Sequence, residues 1–145
     1  MKLRTIAISV AAIMAGAALA LLGPASPAVG FFSPPLLLEV AIHPTATSVA
    51  KGAAVEVRLD VTCAGTNQAF LFVVITQRSG SEIASGRGSA TVGCTGQQQS
   101  VILLVTADSG RAFKTGSAVA EAELSGCAPA VCGTDVDTRT IRIEK

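Results

Sequence analysis

From residue 36 to residue 143, apolar and polar side chains alternate in short runs separated by clusters of Gly, Ser, Asn and Gln. A period of two broken by turn residues predicts strands, and no helical period of comparable length competes with it. The clearest run is 54–63, where Val55, Val57, Leu59, Val61 and Cys63 alternate with Glu56, Arg58, Asp60 and Thr62. One face of that strand belongs to a core and the other to solvent. Further strands are predicted over 36–43, 69–78, 82–94, 100–107, 117–127 and 137–143, with a turn-rich stretch at 44–52. Gly86, Gly88 and Gly93 mark 82–94 as bulged or as an irregular edge. Seven short strands with turn chemistry between them predict an all-β chain, an antiparallel immunoglobulin-like or fibronectin-like sandwich.

Two of these runs carry apolar residues on both faces. In 69–78, Phe70, Phe72 and Val74 oppose Leu71, Val73 and Ile75, and in 100–107 Val101, Leu103 and Val105 oppose Ile102 and Leu104. A sandwich strand turns only one face to the core, so Leu71, Val73 and Ile75, or Ile102 and Leu104, are expected to need a cover. Phe31, Phe32 and Leu36 to Leu38 are one candidate cover and a homodimer interface is another. The prolines at 34 and 35 favour an extended tether, and with it self-association.

The first 28 residues are predicted to be a cleaved signal peptide, with Lys2 and Arg4 before an uncharged apolar run from Ile6 to Leu22. Ser26 and Ala28 supply small residues for cleavage after Ala28. Much of the run is Ala and Gly, which contribute little to insertion, so a retained membrane anchor is the weaker reading. Residues 29–35 then form a flexible entry segment and 36–145 the folded domain. The expected location is extracellular, with no stable membrane insertion after processing.

Composition narrows the function. The 145 residues are half hydrophobic, with eleven Lys and Arg against ten Asp and Glu, and neither Trp nor Tyr. Loss of Lys2 and Arg4 leaves the exported chain close to neutral. Such a chain has neither a cationic field nor stacking platforms for nucleic acid.

Four cysteines in an exported domain of this size predict two disulfides. If the strands run alternately up and down, Cys63, Cys94 and Cys127 end the second, fourth and sixth at one pole, and Cys132 lies in the loop that follows. The expected bonds are therefore Cys63–Cys94 and Cys127–Cys132. A metal site is disfavoured, since no paired CxxC motif is present.

His43, the only histidine, precedes Pro44 at a strand end and is predicted to be a turn residue, with no nucleophile signature to make it catalytic. Glu56, Asp60, Glu121 and Glu123 fall on outward faces, the ordinary place for solvating charge. Asp135 and Asp137 are expected in an Asp-rich turn rather than at a calcium site, because Arg139 follows where further oxygen ligands would stand. Ser85 to Ser89 lacks the GK[ST] ending of a phosphate loop. No cofactor is expected and the chain is predicted to be non-enzymatic.

Several segments carry a resemblance. Val61-Thr62-Cys63, Thr76 to Gly80, Val92 to Gly96, the small-residue strand into Cys127 and Arg139 to Arg142 resemble secreted actinobacterial immunoglobulin-like domains of unknown function, which implies a sandwich and export. Cys127 to Cys132 alone is similar in spacing and position to the short carboxy-terminal disulfide of neocarzinostatin-type apoproteins, which implies a small-molecule carrier as the alternative function. The leading expectation is a module that binds a protein, glycan or cell-surface component through loops at the disulfide pole, with Asn67, Gln68, Gln97, Gln98 and Asp135 as candidate binding residues.

Overall fold

A computed structural model describes residues 35–108 and 110–145. The expected signal peptide and residues 29–34 of the entry segment lie outside them. The described chain is built of seven strands: β1 (Leu37–Val49), β2 (Ala54–Ala64), β3 (Gln68–Ser79), β4 (Glu82–Gly93), β5 (Gln99–Ala107), β6 (Gly116–Ala128) and β7 (Val131–Glu144). A single turn of 3-10 helix, Ala50–Gly52, joins β1 to β2.

Period-two alternation accounts for what is buried. Val55, Val57, Leu59, Val61 and Cys63 of β2 are wholly inaccessible, as are Leu71, Val73 and Ile75 of β3 and Ala120, Ala122 and Leu124 of β6. Ile42, Val105, Ile141, Ile143 and Phe113 complete one core. The alanines of β6 leave room for the larger β3 and β2 side chains, so one continuous cluster fills the interior at side-chain density.

The strands follow the order β1-β2-β5-β4-β3-β6-β7, and the order closes on itself. This differs from the two separate sheets that the sequence predicts, and the closure occurs at two thin seams. On one side β4 meets β5 only where Gly86 pairs with Ala107 and Arg87 with Thr106. A side chain at Gly86 would stand 2.4 Å from the Thr106 carbonyl oxygen, and one at Gly88 would stand 2.5 Å from that of Leu104. Two of the three glycines that marked 82–94 as irregular, Gly86 and Gly88, are thus where two backbones approach too closely for any Cβ, while Gly93 has open space around it.

On the other side β1 pairs with β7 through Thr45, Ala46 and Thr47 against Arg142, Ile143 and Glu144, and this pairing is parallel. It corrects the expectation of a uniformly antiparallel sheet, and with it the turn predicted at 44–52. Instead β1 runs on to Val49, absorbing Pro44 in a register shift between Ile42 and Ala46 against β2. Pro44 has no N–H to donate, so the ladder must break there, and the bulge swings the strand so that one edge stays on β2 while the other reaches β7.

Beyond the bulge the seam is too wide for backbone pairing, and side chains bridge it. The amides of Val40 and Ile42 donate to Asp135 Oδ2 at 2.7 Å and Asp137 Oδ2 at 2.8 Å. Two carboxylates spaced two apart on one strand thereby match two amides spaced two apart on the other.

Candidate functional site

Three connections meet at one pole: the β2–β3 turn at 65–67, the β4–β5 turn at 94–98 and the β6–β7 hairpin tip at 129–130. Cys63 and Cys94 are bonded with Cα atoms 4.9 Å apart, and Cys127 and Cys132 with Cα atoms 4.0 Å apart. Both pairings are those that alternating strand direction predicts. Backbone bonds tie the first two turns together, with the Cys94 amide donating to Asn67 O at 3.0 Å and the Gly96 amide to Cys63 O at 2.9 Å. Gln99 Nε2 donates to Gly93 O at 2.6 Å and Thr66 Oγ1 to Gln68 O at 3.0 Å.

Asn67, Gln68, Gln97 and Gln98 stand exposed around this pole. Asp135 does not join them. It lies within β7, half-buried, with its carboxylate committed to the Val40 amide. The Asp-rich turn foreseen at 135–137 is likewise a strand. Cys132 is not in a loop either, because β7 starts at Val131 and places it directly opposite Cys127. The loop expected to hold Cys132 after the sixth strand therefore shrinks to Pro129 and Ala130.

The outer faces decide where apolar surface remains. In β3 the buried row is Leu71, Val73 and Ile75, so the row left outside is Phe70, Phe72 and Val74. Phe70 is 49% exposed, and Val136, two strands away on β7, is 53% exposed. Cross-strand pairing sets Phe70 between Thr91 and Ser125, and Phe72 between Ser89 and Glu123. On β5, Ile102 and Leu104 are outward and more than half exposed. Leu36 and Leu38, expected as an outer cover, are spent elsewhere. They lie over the cross-strand glycines Gly126 and Gly133 and close the end of the core beneath the disulfide pole. An Ile or Phe at either glycine would have filled that seat.

Sequence reasoning missed one polar pairing. His43 Nε2 and Asp60 Oδ2 lie 3.1 Å apart across the β1–β2 pair, beside a pocket of about 200 Å³ whose lining includes Thr47, Glu56, Arg58 and Ile102. The β1 bulge turns His43 toward β2. Among the described residues, Asp60 is the one side chain hydrogen-bonded to the imidazole. No group of three or more His, Cys, Asp or Glu residues able to hold a metal occurs among the described residues. Nor is any helix there long and apolar enough to cross a membrane.

No protein-family model matches the chain, and no curated protein matches it in sequence. Among solved structures it is similar to AggA, the major subunit of aggregative adherence fimbriae type I from Escherichia coli. The identity is 10%, the TM-score 0.41, and the match covers 77% of this chain and 95% of AggA. A likeness of that degree transfers nothing about assembly or binding to this chain.

Proposed function

We propose that the chain is a secreted, non-enzymatic module that binds a protein partner. Its contact surface is the outer face of β3, β6 and β7 where that face meets the disulfide-pole turns. In this reading the closed sheet is a flattened immunoglobulin-like sandwich, β1-β2-β5 against β4-β3-β6-β7, with the two thin seams as its open sides.

The observation that carries the proposal is the placement of Phe70. An aromatic ring half exposed on a rigid strand, next to the exposed Asn67 and Gln68 and one row from Phe72, has the make-up of an interface anchor with a polar rim. Glu121 and Glu123 on the neighbouring strand favour a partner with basic residues around an apolar centre. Leu36, Leu38 and Ala69 fill the space beneath the turns, so the alternative of a carrier with its cavity at that pole has no support.

Binding of the labelled chain to the surface of the producing organism, and to a second copy of itself, tests the proposal. The Phe70→Ser/Phe72→Ser variant should keep its melting temperature within a few degrees and lose at least about tenfold in affinity, the usual weight of a buried aromatic anchor. Undiminished binding by that variant would remove the outer face from consideration.

A further inference from the structure

The pole away from the disulfides carries a second arrangement of different chemistry. A cavity of about 570 Å³ opens there, lined by Ser48, Lys51, Phe113, Lys114, Thr115 and Lys145. That volume is ordinary for a small-molecule site. Its lining side chains are those of three lysines, two hydroxyl residues and Phe113, with no acidic side chain among them. Several acids pair with arginines, and of these Glu82 also feels the Lys114 charge. Glu144 lies 3.7 Å from the Arg142 guanidinium, Glu82 is paired with Arg111, and Asp108 lies 2.6 Å from Arg87 Nε. Among the described residues the three lysines have no such partner.

Two features fix the backbone at Lys51 and Lys114. Ala50, Lys51 and Gly52 all have positive φ, at 49°, 58° and 86°, a conformation that non-glycine residues adopt only where surrounding contacts enforce it. The enforcing contact is the Phe113 backbone: its amide donates to Gly52 O at 2.8 Å, and a Cβ on Gly52 would fall 2.0 Å from Phe113 O. The second feature is Gln77, the one buried polar side chain among the described residues. Its Oε1 accepts from the Lys114 amide at 2.7 Å, and its Nε2 donates to Lys114 O at 2.7 Å. An amide side chain is buried in an apolar core and a strained turn is maintained beside it, and what both fix is the backbone of a cavity-lining lysine. Lysines carried around a concave space suit an oxyanion.

We propose that this cavity binds a small organic phosphate or sulfate ester. The ammonium groups of Lys51, Lys114 and Lys145 receive the oxyanion, the Ser48 and Thr115 hydroxyls supply further donors, and the lysine stems contact the organic body. The site is distinct from the face proposed above for the protein partner and stands or falls apart from it.

Amide chemical shifts of the whole chain titrated with phenyl phosphate, phenyl sulfate, inorganic phosphate and phenol test the assignment. Both esters should give saturable shifts centred on Ser48, Lys51 and 113–115, with phenol silent and inorganic phosphate weaker for lack of an organic body. A phosphate-over-sulfate preference identifies the dianion as the better ligand, and the reverse order assigns the site to sulfate esters. Lys51→Gln/Lys114→Gln should weaken ester binding at least about tenfold, two exposed ion pairs' worth. Lys51→Arg/Lys114→Arg should retain it, and 0.5 M salt should abolish most of it through screening. Arg58→Gln, on another face, serves as the control for net charge, and Phe70→Ser should leave ester binding intact. Shifts that map elsewhere, the absence of saturation, or equal affinity in the Gln double variant at unchanged melting temperature would each overturn the proposal.

Discussion

The polar residues that matter most here are those whose partners are backbone groups. Asp135 and Asp137 satisfy two β1 amides that no strand reaches, so Asp135→Ala and Asp137→Ala each leave a part-buried N–H without an acceptor. The expected loss is about 1–3 kcal/mol for each change, read as a lower denaturation midpoint at constant slope. Substitution of Thr138, exposed on the opposite face, should change little. Among the described residues, Glu82 is the group whose titration its surroundings clearly displace. Its hydrogen bond to Arg111 lowers its pKa below the usual 4.5, with the Arg111 charge as the next cause. A carboxyl depressed in the folded state adds stability above its unfolded pKa, and that contribution fades as pH falls through the folded value. Carbon-detected titration should therefore find Glu82 protonating below pH 4.5, and Arg111→Ala should bring its midpoint back up. The group is fully exposed, so the pH-stability curve itself should barely move.

Strand β1 shows how one element with a bulge can serve two neighbours. Its residues on both sides of Pro44 pair with β2, while Thr45 to Thr47 pair with β7, so the bulged strand closes the sheet. The disulfides act at the same scale but unequally. Cys63 and Cys94 join turns with a sequence separation of 31, whereas Cys127 and Cys132, with a separation of 5, span a hairpin whose ladder already runs its full length. On the chain-entropy model the two bonds contribute about 3.7 and about 2.2 kcal/mol. Cys63 is also wholly buried while Cys127 and Cys132 are exposed, so packing adds to the same ordering. Cys63→Ala/Cys94→Ala should be the more destabilised double variant in chemical denaturation, and equal losses would contradict both the entropic and the packing argument.

At the scale of the whole molecule, the outer faces remain apolar in two places, around Phe70 and around Ile102, and the two poles differ in character. One is stapled and uncharged at its turns, and the other carries lysines around a cavity. Self-association through an outer face should appear as concentration-dependent mass in light scattering that Phe70→Ser/Phe72→Ser or Ile102→Ser/Leu104→Ser suppresses. A monomer at every concentration would leave a different protein as the partner. Export makes its own prediction: the chain recovered from the medium should begin at Val29 by intact mass, or at Phe31 if cleavage falls after Gly30.

Much of this protein is written in local alternation. A period of two tells which side chains of a strand share a face, and so the seven strands, the buried row of β2 and the pole shared by Cys63, Cys94 and Cys127 are legible without a structure. Exposed turn residues such as Asn67 and Gln97 are legible for the same reason, since turn chemistry is local. Where both rows of a strand are apolar, alternation is mute: only the packed sheet shows that Leu71, Val73 and Ile75 are inside and Phe70, Phe72 and Val74 outside. Closure of the sheet, the parallel β1–β7 contact, the duty of Asp135 as an acceptor for Val40, the His43–Asp60 pair and the grip of Gln77 on Lys114 all join residues far apart in the chain. No short-range pattern encodes them. They are set by how strands twist, bulge and approach once the core has been buried, and that is decided only in the tertiary structure.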